Sequence, residues 1–150
     1  MATLVEATAP ADLESVRELF VEYARGVDEP CCFTSFDAEV AALPHGYFAL
    51  LLAKEGAAAA GCVGLRRLDG RTAEMKRLYV RSEYRGCGIG RALAEAAIAA
   101  ARSAGHRRVV LDSLPKMSAA QSLYRLLDFR EVAPYLAEPT PGATCFELSL

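Results

Sequence analysis

Apolar residues along the chain alternate between a period of two and a period near 3.6, and the changes of period divide it into elements. Thr3 to Ala7 reads as a short first strand. Thr8 is placed as an N-cap and Pro10 falls in the first turn of a helix. Leu13, Val16, Leu19, Phe20 and Tyr23 carry that helix at regular spacing to its end near Gly26. Asp37 to Leu43 predicts a second short helix, stopped by Pro44-His45-Gly46. Three antiparallel strands come next, Tyr47 to Lys54, Ala60 to Leu68 and Thr72 to Val80, separated by Glu55-Gly56 and Asp69-Gly70 turns. Gly88 to Ala104 is an alanine-rich helix ended by Gly105, and Arg107 to Asp112 a compact apolar strand. Lys116 to Leu127 predicts a last helix, and Phe129 to Val132 and Thr144 to Leu150 two last strands around a proline-rich loop, Pro134 to Gly142. This order predicts an α+β fold: one mixed, mostly antiparallel sheet of about seven strands flanked by about four helices.

Length and composition narrow the class. With 150 residues the chain suits a single domain spanning 1–150, and 53% hydrophobic against 24% charged residues excludes intrinsic disorder. A formal net charge of −2 argues against a nucleic-acid binder. No apolar run is long enough for a membrane span, and the N-terminus lacks the pattern of a signal peptide, so a cytoplasmic protein is expected. Five cysteines with no Cys-x-x-Cys pair, and two histidines, predict neither a disulfide framework nor a metal site. The charge is uneven. Residues 1–45 hold nine acids and two bases, a net −7, and the remainder is net +5. Either helix surfaces differ in sign, or a basic half holds an anionic ligand while an acidic half receives a cationic one.

The strongest chemical signal lies between Leu78 and Arg91, where a strand runs through Gly86, Gly88 and Gly90 into a helix. Glycines let the backbone approach a ligand, and free N–H groups at a helix start bind anions. Arg85 and Arg91, with Lys76, Arg77 and Arg81 upstream, add cationic side chains. A P-loop would need Gly-Lys-Ser/Thr, which is absent, and a dinucleotide loop would need glycine where Arg91 stands. Asp112 could stand in for the ribose-binding acid of such a fold, but the turn comes after an antiparallel strand rather than a first parallel one.

Arg85-Gly86-Cys87-Gly88-Ile89-Gly90 resembles the Arg/Gln-x-x-Gly-x-Gly loop of the GNAT superfamily of acyl-CoA-dependent N-acyltransferases. Glu74 to Val80 is similar to the strand before that loop, and Ala120 to Tyr124 with Phe129 to the helix and strand behind it. Pro134-Tyr135, Pro141-Gly142 and Glu147 to Leu150 resemble segments of small bacterial single-domain members of undefined substrate. The resemblance implies acetyl-CoA as donor, in a cleft where two strands splay apart. It implies that the backbone of Leu78, Tyr79 and Val80 holds the acetyl group and pantetheine arm. The amides from Arg85 through Gly86, Cys87, Gly88, Ile89 and Gly90 to Arg91 would hold the pyrophosphate. Met117 stands where the family often has Asn, and Asp128 where it often has Gly, a position Asp can fill in a left-handed C-cap.

Two residues are implied as catalytic. Tyr124 matches the tyrosine that protonates the leaving thiolate; the plainer alternative is a packing residue beside Leu123 and Leu127. Glu74 matches a position used for the general base, facing the same side as Lys76 and Leu78 by period two; the alternative is an ion-paired strand carboxylate. Cys31 and Cys32, beside Phe33 and Phe36, fall where the acceptor pocket is lined, without a base nearby in sequence to activate them. His45 and His106 read as isolated loop residues, His45 the better placed to edge the acceptor cleft. The expected activity is acetyl transfer to a small-molecule or peptide amine, by direct attack in a ternary complex, with no nucleic acid or membrane partner and a homodimer left open. A non-catalytic acyl-CoA-binding module and a nucleotide-phosphate binder remain as alternatives.

Overall fold

The computed structural model describes residues 2–27 and 35–150. Its strands are β1 (Thr3–Glu6), β2 (Ala49–Glu55), β3 (Ala58–Arg67), β4 (Thr72–Val80), β5 (Arg108–Ser113), β6 (Arg130–Val132) and β7 (Thr144–Ser149). Its helices are α1 (Pro10–Val27), α2 (Phe36–Ala42), α3 (Ile89–Ser103) and α4 (Ser118–Leu126). The strands form one sheet in the order β1-β2-β3-β4-β5-β7-β6, antiparallel except for the β4–β5 pair. The expected α+β architecture is therefore what the chain adopts. Among the described residues no helix is long and apolar enough to cross a membrane.

Local chemistry shifts several boundaries. Pro10 takes the first helical position of α1, where its missing N–H costs nothing, and the Leu13 amide bonds the Ala9 carbonyl at 3.0 Å; the cap therefore falls at Ala9, not Thr8. A short 3₁₀ turn, Ser82–Tyr84, separates β4 from the glycine turn. Asp128 does adopt a positive φ of 71°, and the Phe129 amide reaches back to the Tyr124 carbonyl at 3.0 Å, closing α4 as a glycine would.

Each face of the sheet carries its own apolar core. On one side α3 packs Leu93, Ala94, Ala97 and Ala101 against Val63, Leu65, Leu111 and Phe146, with Tyr124 of α4 beside them. The small alanines let α3 lie close to the strands. On the other side α1 sets Val16, Leu19 and Phe20 against Leu50, Leu52 and Cys62. Each large apolar side chain fully buried in this way contributes about 1.5–3 kcal/mol. The acid-rich first part of the chain is joined to this face by ion pairs: Asp12 to Lys54 at 2.6 Å, Glu22 to Arg81 at 2.6 Å, and Glu39 to Arg66 and Arg77 at 2.8 and 2.9 Å. Part of the charge asymmetry of the sequence is thus used in holding α1 and α2 to the sheet.

Two irregularities in β4 shape the sheet around it. Its parallel pairing with β5 runs through Thr72↔Arg108, Ala73↔Val109 and Glu74↔Val110 and then stops, leaving a gap between the strands. Its register with β3 also slips by one residue between the Cys62↔Tyr79 and Gly64↔Lys76 pairs, a bulge in which Arg77 has φ 61°. The extra residue reverses the facing of the rest of β4. Leu78 packs with the α3 core, as Met75 does, so it does not share a face with Glu74 as strict alternation predicts.

Candidate active site

The site grows from the start of α3. Gly86 and Gly88 have φ of 81° and 87°, a region glycine enters without cost, and they turn the chain sharply into the helix. The backbone N–H groups of residues 86–91 have no hydrogen-bond partner among the described residues. Six donors therefore point outward at the positive end of a helix dipole. In front of them lies a cleft of about 570 Å³, lined by Leu78, Tyr79, Val80, Arg85, Gly86, Gly88, Ile89 and Gly90 on one side and by Lys116, Met117, Ala120 and Leu123 on the other. These are most of the residues the sequence assigns to cofactor binding, now on one wall. Cys87 and Arg91 sit on the same turn but do not line the cleft. The Cys87 thiol donates to the Tyr84 carbonyl at 2.8 Å, and Arg91 pairs with Glu95 at 2.6 Å.

The cationic cluster expected around the turn is only partly there. Arg85 stays close, its Nε donating to the Val80 carbonyl at 2.8 Å and its guanidinium lying over the Tyr79 ring. Arg77 and Arg81 instead face α1 and α2, where Glu39 and Glu22 hold them. Alternation along β4, with its bulge, carries them to the opposite side of the sheet.

An inner cavity of about 120 Å³ adjoins the cleft at the gap between β4 and β5, sharing Leu78, Met117 and Ala120 with it. Met75, Leu78, Ala120 and Tyr124 line its α3 side; Tyr23, Lys76, Arg77, Asp112 and Thr140 line the other. Tyr124 is buried, its ring fixed against Phe129 and Phe146 with centroids 5.7 and 5.8 Å away. Burial, with lesser contributions from Tyr23 and Asp112, pushes its hydroxyl well above the ordinary phenol range, so it carries its proton at neutral pH. That hydroxyl has no hydrogen-bond partner among the described residues.

Glu74 is 3% exposed and does not line the cavity, with the Tyr135 hydroxyl donating to its Oε2 at 2.7 Å. Asp112 does reach the cavity, with Oδ2 accepting from the Thr140 hydroxyl at 2.8 Å. The sequence suggests Asp112 only as a ribose-binding acid. Its position just past the last β4–β5 pair is set by long-range pairing and leaves no local signature. Tyr135 and Thr140 both come from the β6–β7 loop, which brings Thr140 to the wall of the cavity.

Other candidates fall elsewhere. His106 is buried and stacked on Phe48 at 4.9 Å, accepting from Arg67 Nε at 3.5 Å, rather than solvated in a loop. His45 is exposed and does not line the cleft. Cys31, Cys32 and Phe33 lie outside the described residues. Among the described residues no group of three or more His, Cys, Asp or Glu side chains is placed to hold a metal.

Comparison with known proteins agrees with this geometry. The chain matches the acetyltransferase (GNAT) family over residues 13–129. It is 32% identical over 148 residues to an uncharacterized N-acetyltransferase of Schizosaccharomyces pombe, covering 94% of this chain and 90% of that protein. A putative acyl-CoA N-acyltransferase from Klebsiella pneumoniae superposes with a TM-score of 0.83 at 23% identity, over 100% of this chain and 98% of that one. A putative acetyltransferase from Salmonella typhimurium, solved with its cofactor acetyl-CoA, superposes with a TM-score of 0.75 at 22% identity, over 99% and 93% of the two chains. The residues of the glycine turn and the cleft it opens onto lie within the matched segment, and the chain belongs to the acetyltransferase (GNAT) family.

Proposed function

We propose that the chain moves an acetyl group from acetyl-CoA to an amine acceptor by direct attack in a ternary complex. The observation that carries this is the run of N–H groups at residues 86–91, unpartnered among the described residues, opening onto a cleft that shares Leu78, Met117 and Ala120 with the cavity at Tyr124. Those donors suit a pyrophosphate, which needs several hydrogen bonds and positive potential at once. Pairing of β4 with β5 has ended at Glu74, so the edge of β4 around Leu78, Tyr79 and Val80 lies open to an extended arm, with the Val80 carbonyl already accepting from Arg85 Nε. Acetyl-CoA would supply the acetyl thioester there. A nucleotide phosphate fits less well, since the turn comes after a strand paired antiparallel to β3 late in the chain.

The residues around the inner cavity then take separate parts. The acceptor nitrogen forms the new amide bond as the carbon–sulfur bond breaks. Tyr124 gives its proton to the departing sulfur, so CoA leaves as the thiol. Glu74 receives the proton lost by the amine. Since Glu74 does not line the cavity, that proton reaches it through water, and the Tyr135 hydroxyl fixes the carboxylate meanwhile.

The loop assignment is tested at Gly90. A Cβ there would meet only the Val80 Cγ2, at 3.7 Å, and the position is helical with no positive φ, so the backbone accepts a side chain there. Gly88 is less suitable because its φ of 87° strains any side chain whatever the ligand does. Gly90→Val is expected to weaken acetyl-CoA binding by at least about tenfold, roughly 1.4 kcal/mol, with an unchanged thermal midpoint. Calorimetric titration measures it. Equal affinity in the two proteins would remove the turn from the binding site.

A further inference from the structure

The inner cavity carries a pair of charges that the acetyl-transfer reading does not use. Glu74 and Val110 are the last residues joined across β4 and β5. Two positions further along each strand the side chains return to the same face of the sheet. Those positions are Lys76 and Asp112, and both line the cavity. A cation and an anion thus stand on opposite rims of the gap, and they form no ion pair with each other.

Their neighbours explain what each is free to do. Arg77 beside Lys76 is taken up by Glu39 at 2.9 Å, and Arg81 by Glu22 at 2.6 Å. Lys76 has no ion pair or hydrogen bond among the described residues, although it is half-buried. An ammonium in that position has lost part of its hydration and regains the loss when an anion arrives. Asp112 is held by the Thr140 hydroxyl through Oδ2, while its Oδ1 has no partner among the described residues. One carboxylate oxygen is therefore fixed by the protein and the other faces the cavity.

We propose, on the basis of the acetyl-transfer reading of this cleft, that the acceptor carries a carboxylate beside its reacting amine: a free amino acid, with Lys76 binding the carboxylate and Asp112 the ammonium. A plain amine or polyamine would add positive charge beside Lys76 and leave it unpaired. A peptide N-terminus has the amine but presents a neutral amide where Lys76 requires an anion. A zwitterion satisfies both rims at once.

The test compares each of several free amino acids with its primary amide and its decarboxylated amine, as kcat/KM for thiol release. With the wild-type protein the free amino acid is expected to be better by at least about tenfold, the worth of one charge-assisted hydrogen bond. Lys76→Met should bring that ratio close to one, Lys76→Arg should keep most of it, and Asp112→Asn should lower kcat/KM for the acid and the amide alike. A wild-type ratio at or below one, which needs no variant to fold, would overturn the proposal. So would a ratio that Lys76→Met leaves unchanged. Calorimetric titration with acetyl-CoA alone separates the two levels: if it binds and amides are preferred, only the acceptor proposal fails, and if it does not bind, the cleft reading fails and takes the proposal with it.

Discussion

Tyr124→Phe is expected to slow acetyl transfer by about 10²–10⁴-fold while leaving folding and acetyl-CoA affinity near wild type. The substitution keeps the ring between Phe129 and Phe146 and removes only an oxygen. Because that hydroxyl has no protein partner among the described residues, its loss orphans no other group, and stability should hardly change. Burial keeps the phenol protonated, the form a general acid needs. Single-turnover thiol release with saturating acceptor isolates the chemical step. A fall confined to KM would point to ground-state binding, and a rate within about threefold of wild type would leave Tyr124 as a packing residue. The same assay on Glu74→Gln, which keeps an acceptor for the Tyr135 hydroxyl, separates a proton-accepting carboxylate from a merely structural one.

The second large effect is on stability. Glu39→Gln should destabilise the fold by about 3 kcal/mol at neutral pH, the lower end of the range for breaking a buried ion pair from one side. The side chains of Glu39 and Arg77 are only 11% and 7% exposed, and Tyr47 and Arg66 also hydrogen-bond the carboxylate at 2.8 Å each. Burial by itself pushes the Glu39 carboxyl up. The hydrogen bond and charge of Arg77, with Tyr47 and Arg66, outweigh it and hold the group below its ordinary 4.5. A lowered folded value means the stabilisation is complete above 4.5 and is lost as pH falls through the folded value. The gap between wild type and Glu39→Gln in urea unfolding should therefore be widest at neutral pH and shrink in acid. Equal stability at neutral pH would show that the Arg77 bulge stands without its counter-ion.

Local signals make much of this protein legible from sequence. The Asp69-Gly70 hairpin, the alanine face of α3 and the glycine turn each depend on residues a few positions apart, and each lies where the pattern puts it. Asp128 works the same way, because a left-handed cap needs only a residue that tolerates it. The bulge in β4 does not, since Arg77 is not a glycine and carries no mark of a positive φ; its side chain pairs with Glu39, far away in the chain. Counting by twos through that bulge puts Leu78 on the wrong face. Lys76 and Asp112 are unreadable as a pair for a related reason: they meet only because parallel pairing ends at Glu74 and Val110. The acidic first part of the chain suggests a cationic acceptor, yet several of those acids are bound to arginines and a lysine of the sheet. Charge counts report a sum, and folding decides which charges remain available.

Direct transfer from acetyl-CoA to the acceptor within one cleft is the step on which the rest depends, and a rapid-mixing experiment tests it. The protein is mixed with excess acetyl-CoA, first without and then with an amine acceptor, while released thiol is followed and the intact protein is weighed by mass spectrometry. Direct transfer predicts no thiol burst and no acetylated protein without acceptor, and rapid thiol release matched by acetylated acceptor once it is added. A burst of one thiol per protein molecule in the absence of acceptor, with the protein heavier by one acetyl group, would contradict it.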